Sequence, residues 1–588
     1  MNNRATFSFE NNGNEDLQKE LNNQRLEHKL SLRKIKYNNL FNLKRNFSSM
    51  TNNKENINLI NNTKENDNAI NPNIPKTITN NSNNCLNNIK WKLELSIDNI
   101  PIPEPFKKNF SFSNEMIDIE NAISYLECVD TDSVRYGLCL LKDIFKKDNI
   151  NQKALLYIDA FFIQELILTI EEYSFKKEKD IVFNIYYFLN SYILINKHRE
   201  IIEILLDQEA LKVFELSFIL QDDEIICQLI ILLNNICSQK QEYKISIICS
   251  SFFSDTFIKL FRENKVLKAI IENLDDKKNS IELNKKMKLY KLIIEKGILL
   301  FSNLIDIQSR NINSSYKNKF IKGKQLLLEI FINFLNTKSK SIQSICMISI
   351  YKITNSEPGL FETLDKSNFI ENMLSQNNDY SDKVKIYYNR ILGNYIAYKE
   401  GLSHEFFMKV IKYELDLLFS FQELNLIVKE ILWVFTNVIL DDIQVIPELF
   451  DDGKFMSAVI HYYRGINNCK DVNDASEFIR IFVSHLDAKR FDILLNNGLI
   501  EICCEQGKIL FEEDKNYYEV FSLFEEMLNV GEKYSSNYEG SNMVLEKLEI
   551  MGMKELFEKN IENKFEQISK ICENICEKYF DLKTEIEF

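Results

Sequence analysis

An all-α fold, assembled by stacking similar helical units, is what this sequence predicts, and three observations lead there. Glycine and proline are scarce, at 14 and 7 of 588 residues, too few for the turns of a sheet protein or the loops of an α/β fold. Hydrophobic residues make up 45 % of the chain, enough for a long core. From about residue 111 onward one helical pattern follows another, and a polar residue returns at a fixed phase. Length alone fits several ordinary domains or one long array; the recurrence favours the array.

Composition divides the chain into three parts. Residues 1–50 contain a basic, partly amphipathic stretch (15–47). Residues 51–110 are polar and Asn-rich, as in "NNTKENDNAINPNIPKTITNNSNN", and are expected to be a flexible linker. Residues 111–588 carry the helical repeats.

Charge and cysteine usage narrow the function classes. A net charge of −14 and a pI near 5.2 argue against broad nucleic-acid binding and suit basic partners. The 12 cysteines lie at irregular spacings within helical runs, as expected of reduced thiols. The start, "MNNRATFSFENNGNED", lacks the apolar core of a signal peptide. The most apolar stretch, 154–170, is broken by Asp159, Gln164 and Glu165, so no membrane insertion is expected. His28, His198, His404, His461 and His485 show no metal-ligand spacing, and no phosphate loop or nucleophile elbow is present. Cys503–Cys504 and the Cys572/Cys576 pair read as packed thiols. No enzyme activity, cofactor or metal is expected.

The recurring unit ends in a Leu- or Ile-rich helix with Asn at one phase. Its copies are "IYYFLNSYI" (Asn190), "LIILLNNIC" (Asn235), "GILLFSNLI" (Asn303), "YYNRILGNYI" (Asn394) and "ILWVFTNVI" (Asn437). Asn190 and Asn235 are 45 residues apart, and Asn394 and Asn437 are 43 apart, the unit length of armadillo and HEAT arrays. "DDKKNSIELNKK" (275–286) fits as a surface insertion in the longer gap before Asn303, and a weaker copy places Lys352 at the Asn phase. The expected fold is an armadillo-repeat, right-handed superhelical solenoid of about ten repeats, since such units cannot bury their faces singly.

Five amides aligned along one groove would be a chemical device. Each offers a donor and an acceptor, the pair that one residue of an extended backbone requires. An aromatic ring one turn earlier, as Trp433 before Asn437 or Tyr186 before Asn190, would wall a slot for a lysine stem.

At this point the sequence resembles a family, importin alpha, the armadillo adaptor that carries nuclear-localisation-signal cargo to importin beta. "KEILWVFTNVI" is similar to the family's seventh-repeat form at Lys429, Glu430, Trp433 and Asn437. "NRILGNYIAYKE" resembles the sixth at Arg390, Gly393 and Asn394, and Glu400 falls where the family keeps an acid. "SLRKIKYNNLFNLKRNF" resembles the importin-beta-binding segment at Leu32, Arg33, Lys34, Lys36, Lys44, Arg45 and Asn46, which the family also uses for autoinhibition. The last helical stretch looks like the repeat that closes the family's array and contributes to binding the export receptor. The resemblance implies a minor-site-like set of Arg390, Asn394, Glu400, Trp433 and Asn437. It also implies a major-site-like set of Tyr186, Asn190, Ile231, Asn235, Leu299 and Asn303, in which the three tryptophan positions have become Tyr186, Ile231 and Leu299. The acid expected after the third repeat's Asn falls near Gln239, and the eighth-repeat Trp and Asn positions fall at Arg480 and Ser484.

The function so implied is a nuclear import adaptor. It would bind localisation signals in a concave groove, link them to importin beta, and shuttle between cytoplasm and nucleus. The alternative is a non-transport armadillo scaffold that binds another peptide or protein. The lost tryptophans favour the scaffold; the basic amino-terminal segment favours the adaptor.

Overall fold

The computed structural model describes residues 91–580 apart from several intervening stretches, of which 264–280 is the longest. The basic segment 1–50, with Leu32, Arg33, Lys34, Lys36, Lys44 and Arg45, lies outside the described residues. So does the linker 51–110, except for 91–97 and Ile100.

Among the described residues there are 26 α-helices and no strand. Ten helices form one continuous row, each packed on the next. They are α1 (Thr131–Phe145), α2 (Lys179–Ile195), α3 (Asp223–Cys237), α4 (Ile281–Leu304), α5 (Lys340–Ser356), α6 (Asp382–Tyr398), α7 (Asn425–Asp441), α8 (Cys469–Ser484), α9 (Tyr518–Lys533) and α10 (Glu566–Tyr579). The fold is therefore an all-α solenoid, and ten row helices agree with about ten repeats.

The intervening helices make a second layer. Some units hold two of them, a short one and a longer one, as with Arg199–Leu205 and Gln208–Ile219 before α3. Others hold a single long helix, as with His404–Ser420 before α7. The array thus mixes three-helix armadillo-type units with two-helix units of the HEAT kind. The expected insertion at 275–286 is corrected in part: α4 starts at Ile281, so the polar "IELNKK" is the first turn and a half of a 24-residue helix.

Side-chain chemistry sets the helix boundaries. Asp159, Asp207, Asp222 and Asp487 each accept a backbone N–H from the first turn of the helix they precede, satisfying donors that the helix itself cannot. Few glycines are needed, because the array is joined by helix-to-helix turns. Gly498, at φ 84°, makes one such turn between Ala488–Asn496 and Leu499–Glu512.

The core runs between the layers as a chain of aromatic contacts. Phe257 and Phe261 meet Phe301 edge-on at 5.6 and 4.8 Å, and Phe455 meets Phe478 and Phe482 at 6.1 and 6.0 Å. Cys503, Cys504, Cys572 and Cys576 are all buried here, and burial pushes the Cys504 thiol up to about 12, which leaves it inert.

Candidate functional site

The major-site-like residues do not line an open slot. Tyr186 is fully buried in α2, its hydroxyl 2.6 Å from Ser217 Oγ on the neighbouring helix. The half-exposed ring on α2 is that of Tyr187 instead. Asn190 is also buried: its Nδ2 donates to the carbonyl and to Oε1 of Gln228, each at 3.0 Å. Its Oδ1 accepts from Asn235 Nδ2 at 3.1 Å. One step along, Asn303 Nδ2 donates to Asn234 Oδ1 at 3.2 Å, while Asn234 Nδ2 donates to the Lys296 carbonyl at 2.9 Å.

Ile231 and Leu299 are packed as core residues. The expectation that Tyr186, Asn190, Ile231 and Leu299 face a ligand is thereby corrected. A buried amide left without partners costs about 1–3 kcal/mol, so in this crowded row the asparagines bond helix to helix. Asn235 and Asn303 remain half-exposed.

The minor-site-like residues behave differently. Arg390 on α6 places Nε and Nη2 at 2.8 and 2.5 Å from Glu430 Oε1 on α7, with its guanidinium 5.1 Å from the Tyr387 ring centroid. Asn394, one turn further, is half-exposed and makes no side-chain hydrogen bond among the described residues. The Trp433 ring lies against the α6 backbone at Gly393, where an added Cβ would come within 2.2 Å of it. Asn437 Nδ2 donates to the Gly393 carbonyl at 3.3 Å, and the residue is 2 % exposed.

The Trp433–Asn437 pair is therefore a staple fixing α7 onto α6, and Asn437 is corrected from a peptide-facing amide to an internal one. Trp433 keeps part of its ring open, and Glu400, just past the end of α6, is exposed. Arg390, Asn394 and Trp433 stand together at the α6–α7 seam. At this seam Gly393→Ala is expected to expel the Trp433 ring and lower stability by about 1–3 kcal/mol. Urea unfolding checks this, with a wild-type midpoint counting against the close approach.

Two arrangements escaped the sequence reading. The first is a set of charge links between successive row helices: Arg135 with Asp180, Lys179 with Asp222, Lys352 with Asp306, Arg390 with Glu430, Lys429 with Asp471, and Arg480 with Glu519. Partners stand 39–46 residues apart in the chain. Opposite charges recurring at that period were the available signal. These pairs are mostly part-exposed, so each contributes at most about 1 kcal/mol and acts chiefly to fix register.

The second is a strap. Residues Lys92–Ser96 cross α3, α2 and α1 in turn, held largely through their backbone. The N–H groups of Lys92 and Leu93 donate to the Glu224 carboxylate at 2.9 Å each. Asn184 receives the Leu95 N–H on Oδ1 at 3.3 Å and donates Nδ2 to the Leu93 carbonyl at 2.9 Å. Lys142 reaches the Leu95 carbonyl and sits 3.3 Å from Glu94 Oε1. The stretch expected as linker thus contains a bound segment. Its signal was the alternation of Leu93 and Leu95 with polar residues. Asn184 gives no such signal, being one Asn among many.

No protein-family model matches the chain, and no curated protein matches it. A similar solved structure comes from work on a conserved phosphorylation switch controlling the interaction between cadherin and beta-catenin. It is 10 % identical with a TM-score of 0.41, covering 82 % of this chain and 94 % of that one. At that score the likeness adds no weight to the repeat architecture, which rests on the helix packing described above.

Proposed function

We propose that this protein is a non-catalytic scaffold whose helix row binds extended polypeptide. The observation that carries the reading is the hold of Asn184 on the strap. One amide engages a carbonyl and an N–H of an extended backbone, and it does so on the face of a row helix. A side chain of this row can therefore do what a peptide groove needs. The place for a partner's chain is the α6–α7 seam, where Asn394 offers an unengaged amide beside the Trp433 ring. Glu400 and the acidic balance of the chain favour basic side chains in that partner.

A second reading, the nuclear import adaptor, is favoured by the order of a basic segment at 31–47 ahead of the array. The Trp433–Asn437 spacing favours it as well. On that reading the partners are localisation-signal cargo, importin beta, and the export receptor at the last repeats, and the protein shuttles between cytoplasm and nucleus.

One experiment addresses both readings. A labelled lysine-rich peptide and an acidic peptide of equal length are titrated against the full chain, followed by importin beta. The scaffold reading expects the lysine-rich peptide to bind at least tenfold more tightly, and that advantage to vanish in Asn394→Ala with Glu400→Lys. Equal binding of both peptides overturns it. The adaptor reading additionally expects importin beta to be captured and then lost on charge reversal of Arg33, Lys34 and Lys36; no capture removes that reading alone.

A further inference from the structure

The strap occupies a site built from three consecutive row helices, and the polar ends of that site depend on it. Lys142 is buried, and its described partners are Glu94 and the Leu95 carbonyl, both from the strap. The Glu224 carboxylate receives the two strap N–H groups. Asn184, 2 % exposed, divides its amide between the strap and the Asp180 carbonyl of its own helix.

Emptied, the site would open the Lys142 ammonium to water and take away the two partners it has here. It is therefore a site matched to an occupant of defined pattern. Consecutive N–H donors are needed at α3, an extended residue pair at α2, and a carbonyl with an acidic side chain at α1.

The present occupant is held by polar bonds more than by buried side chains. Leu93 and Leu95 are only half-buried, and the strap's main-chain bonds are ones another peptide could make by bending at its first two residues. A cavity of about 300 Å³ lies alongside, lined by Glu94, Leu95, Ser96, Arg135 and Asp180 among others. The strap is thus specified by the aliphatic–acidic–aliphatic order of Leu93-Glu94-Leu95 and by little else.

We propose that the Lys142–Asn184–Glu224 cradle is an exchangeable peptide site. Its ligand class is an extended segment of aliphatic–acidic–aliphatic sequence in a partner protein, and the strap is its resident competitor. The inference rests on the peptide-scaffold reading but concerns a different site and the opposite ligand charge from the α6–α7 seam. Binding of such a segment releases Lys92–Ser96, and the strap's tether makes the exchange depend on the partner's local concentration.

The test uses the full chain and a fluorescent peptide of sequence Trp-Lys-Leu-Glu-Leu-Ser-Ile. A strap variant, Glu94→Lys, sets a cation against Lys142 and should vacate the cradle. The labelled peptide is expected to bind this variant at least tenfold more tightly than wild type. Adding Asn184→Ala should return it to background, with circular dichroism confirming the fold.

A probe peptide with Lys in place of its Glu requires no change in the protein beyond the strap variant, and should bind at least tenfold more weakly. Equal binding to wild type and Glu94→Lys, or equal binding of the two probes, overturns the proposal. The lysine-rich peptide of the preceding experiment should be indifferent to Asn184→Ala, so the two readings fail separately.

Discussion

Replacing Glu414 by glutamine is expected to abolish a loss of stability that the wild-type protein suffers as pH rises. Glu414 lies in His404–Ser420, fully buried against α6, where Asn389 Nδ2 donates to its Oε2 at 3.1 Å. Among the described residues, Asn389 Oδ1 and Glu414 Oε1 have no hydrogen-bond partner. Burial pushes the Glu414 carboxyl well above the ordinary carboxylate range, and the Asn389 hydrogen bond only partly opposes that. A neutral acid supplies one O–H donor, and the unpartnered Asn389 oxygen is the acceptor it needs.

The sign follows from the raised value. Unfolded, the group ionises near pH 4.3; folded, it holds its proton far longer. Its contribution is complete below the unfolded value and is lost as pH rises towards the folded one. The loss is about 1.4 kcal/mol for each pH unit crossed. Glutamine forms a reciprocal amide pair with Asn389 and has no proton to lose. The urea midpoint of Glu414→Gln relative to wild type should therefore climb steadily between pH 5 and pH 8. A constant difference would show that Glu414 is ionised in the fold.

Lys324→Ala is expected to be the most destabilising single change, at about 3–5 kcal/mol. The residue is fully buried in Ser314–Leu335, with Nζ 2.8 Å from the Ile307 carbonyl, 2.9 Å from Ser356 Oγ and 3.2 Å from Glu357 Oε1. It also lies 4.9 Å from the Phe320 ring centroid. One ammonium thus ties the segment after α4 to the end of α5. Removing it takes the Lys324 cation away from the Glu357 carboxylate, itself mostly buried. Pairing Lys324→Met with Glu357→Gln should recover more than half of the loss, because no buried charge is then left over. Hydrogen exchange over 305–357 should report the damage locally, as expected of an array whose units contact only their neighbours.

Periodicity made the architecture legible. Five copies of one helix phase, at intervals of 43 and 45 residues where the array is regular, state that like helices stack, and they do. The direction of each amide could not be read the same way. Asn190 and Asn394 occupy the same phase, yet one is spent on Gln228 and Asn235 while the other stays open.

What decides between them is the neighbour one repeat away. Gln228 stands where it can accept from Asn190, whereas Glu430, at the matching position of α7, is taken by Arg390. A periodic pattern specifies a face, whereas burial of that face depends on how closely the next helix approaches. At α6 that approach is set by Gly393, which admits the Trp433 ring. The strap was hidden for a different reason. Lys92, Leu93 and Leu95 are held by backbone groups, which every sequence possesses.

Neighbouring helices in the row are joined by two chemically distinct couplings. Around α2, α3 and α4 amide-to-amide bonds, which dissolved ions hardly affect, stand beside ion pairs such as Lys179 with Asp222. From α7 to α9 the couplings are the part-exposed ion pairs Lys429 with Asp471 and Arg480 with Glu519, which added salt weakens. Raising the electrolyte concentration therefore slackens the α7–α9 couplings more than those around α2–α4, where the amide bonds remain. A guest released by brine is then no proof of electrostatic attraction between guest and host, because the host's own seams loosen as well.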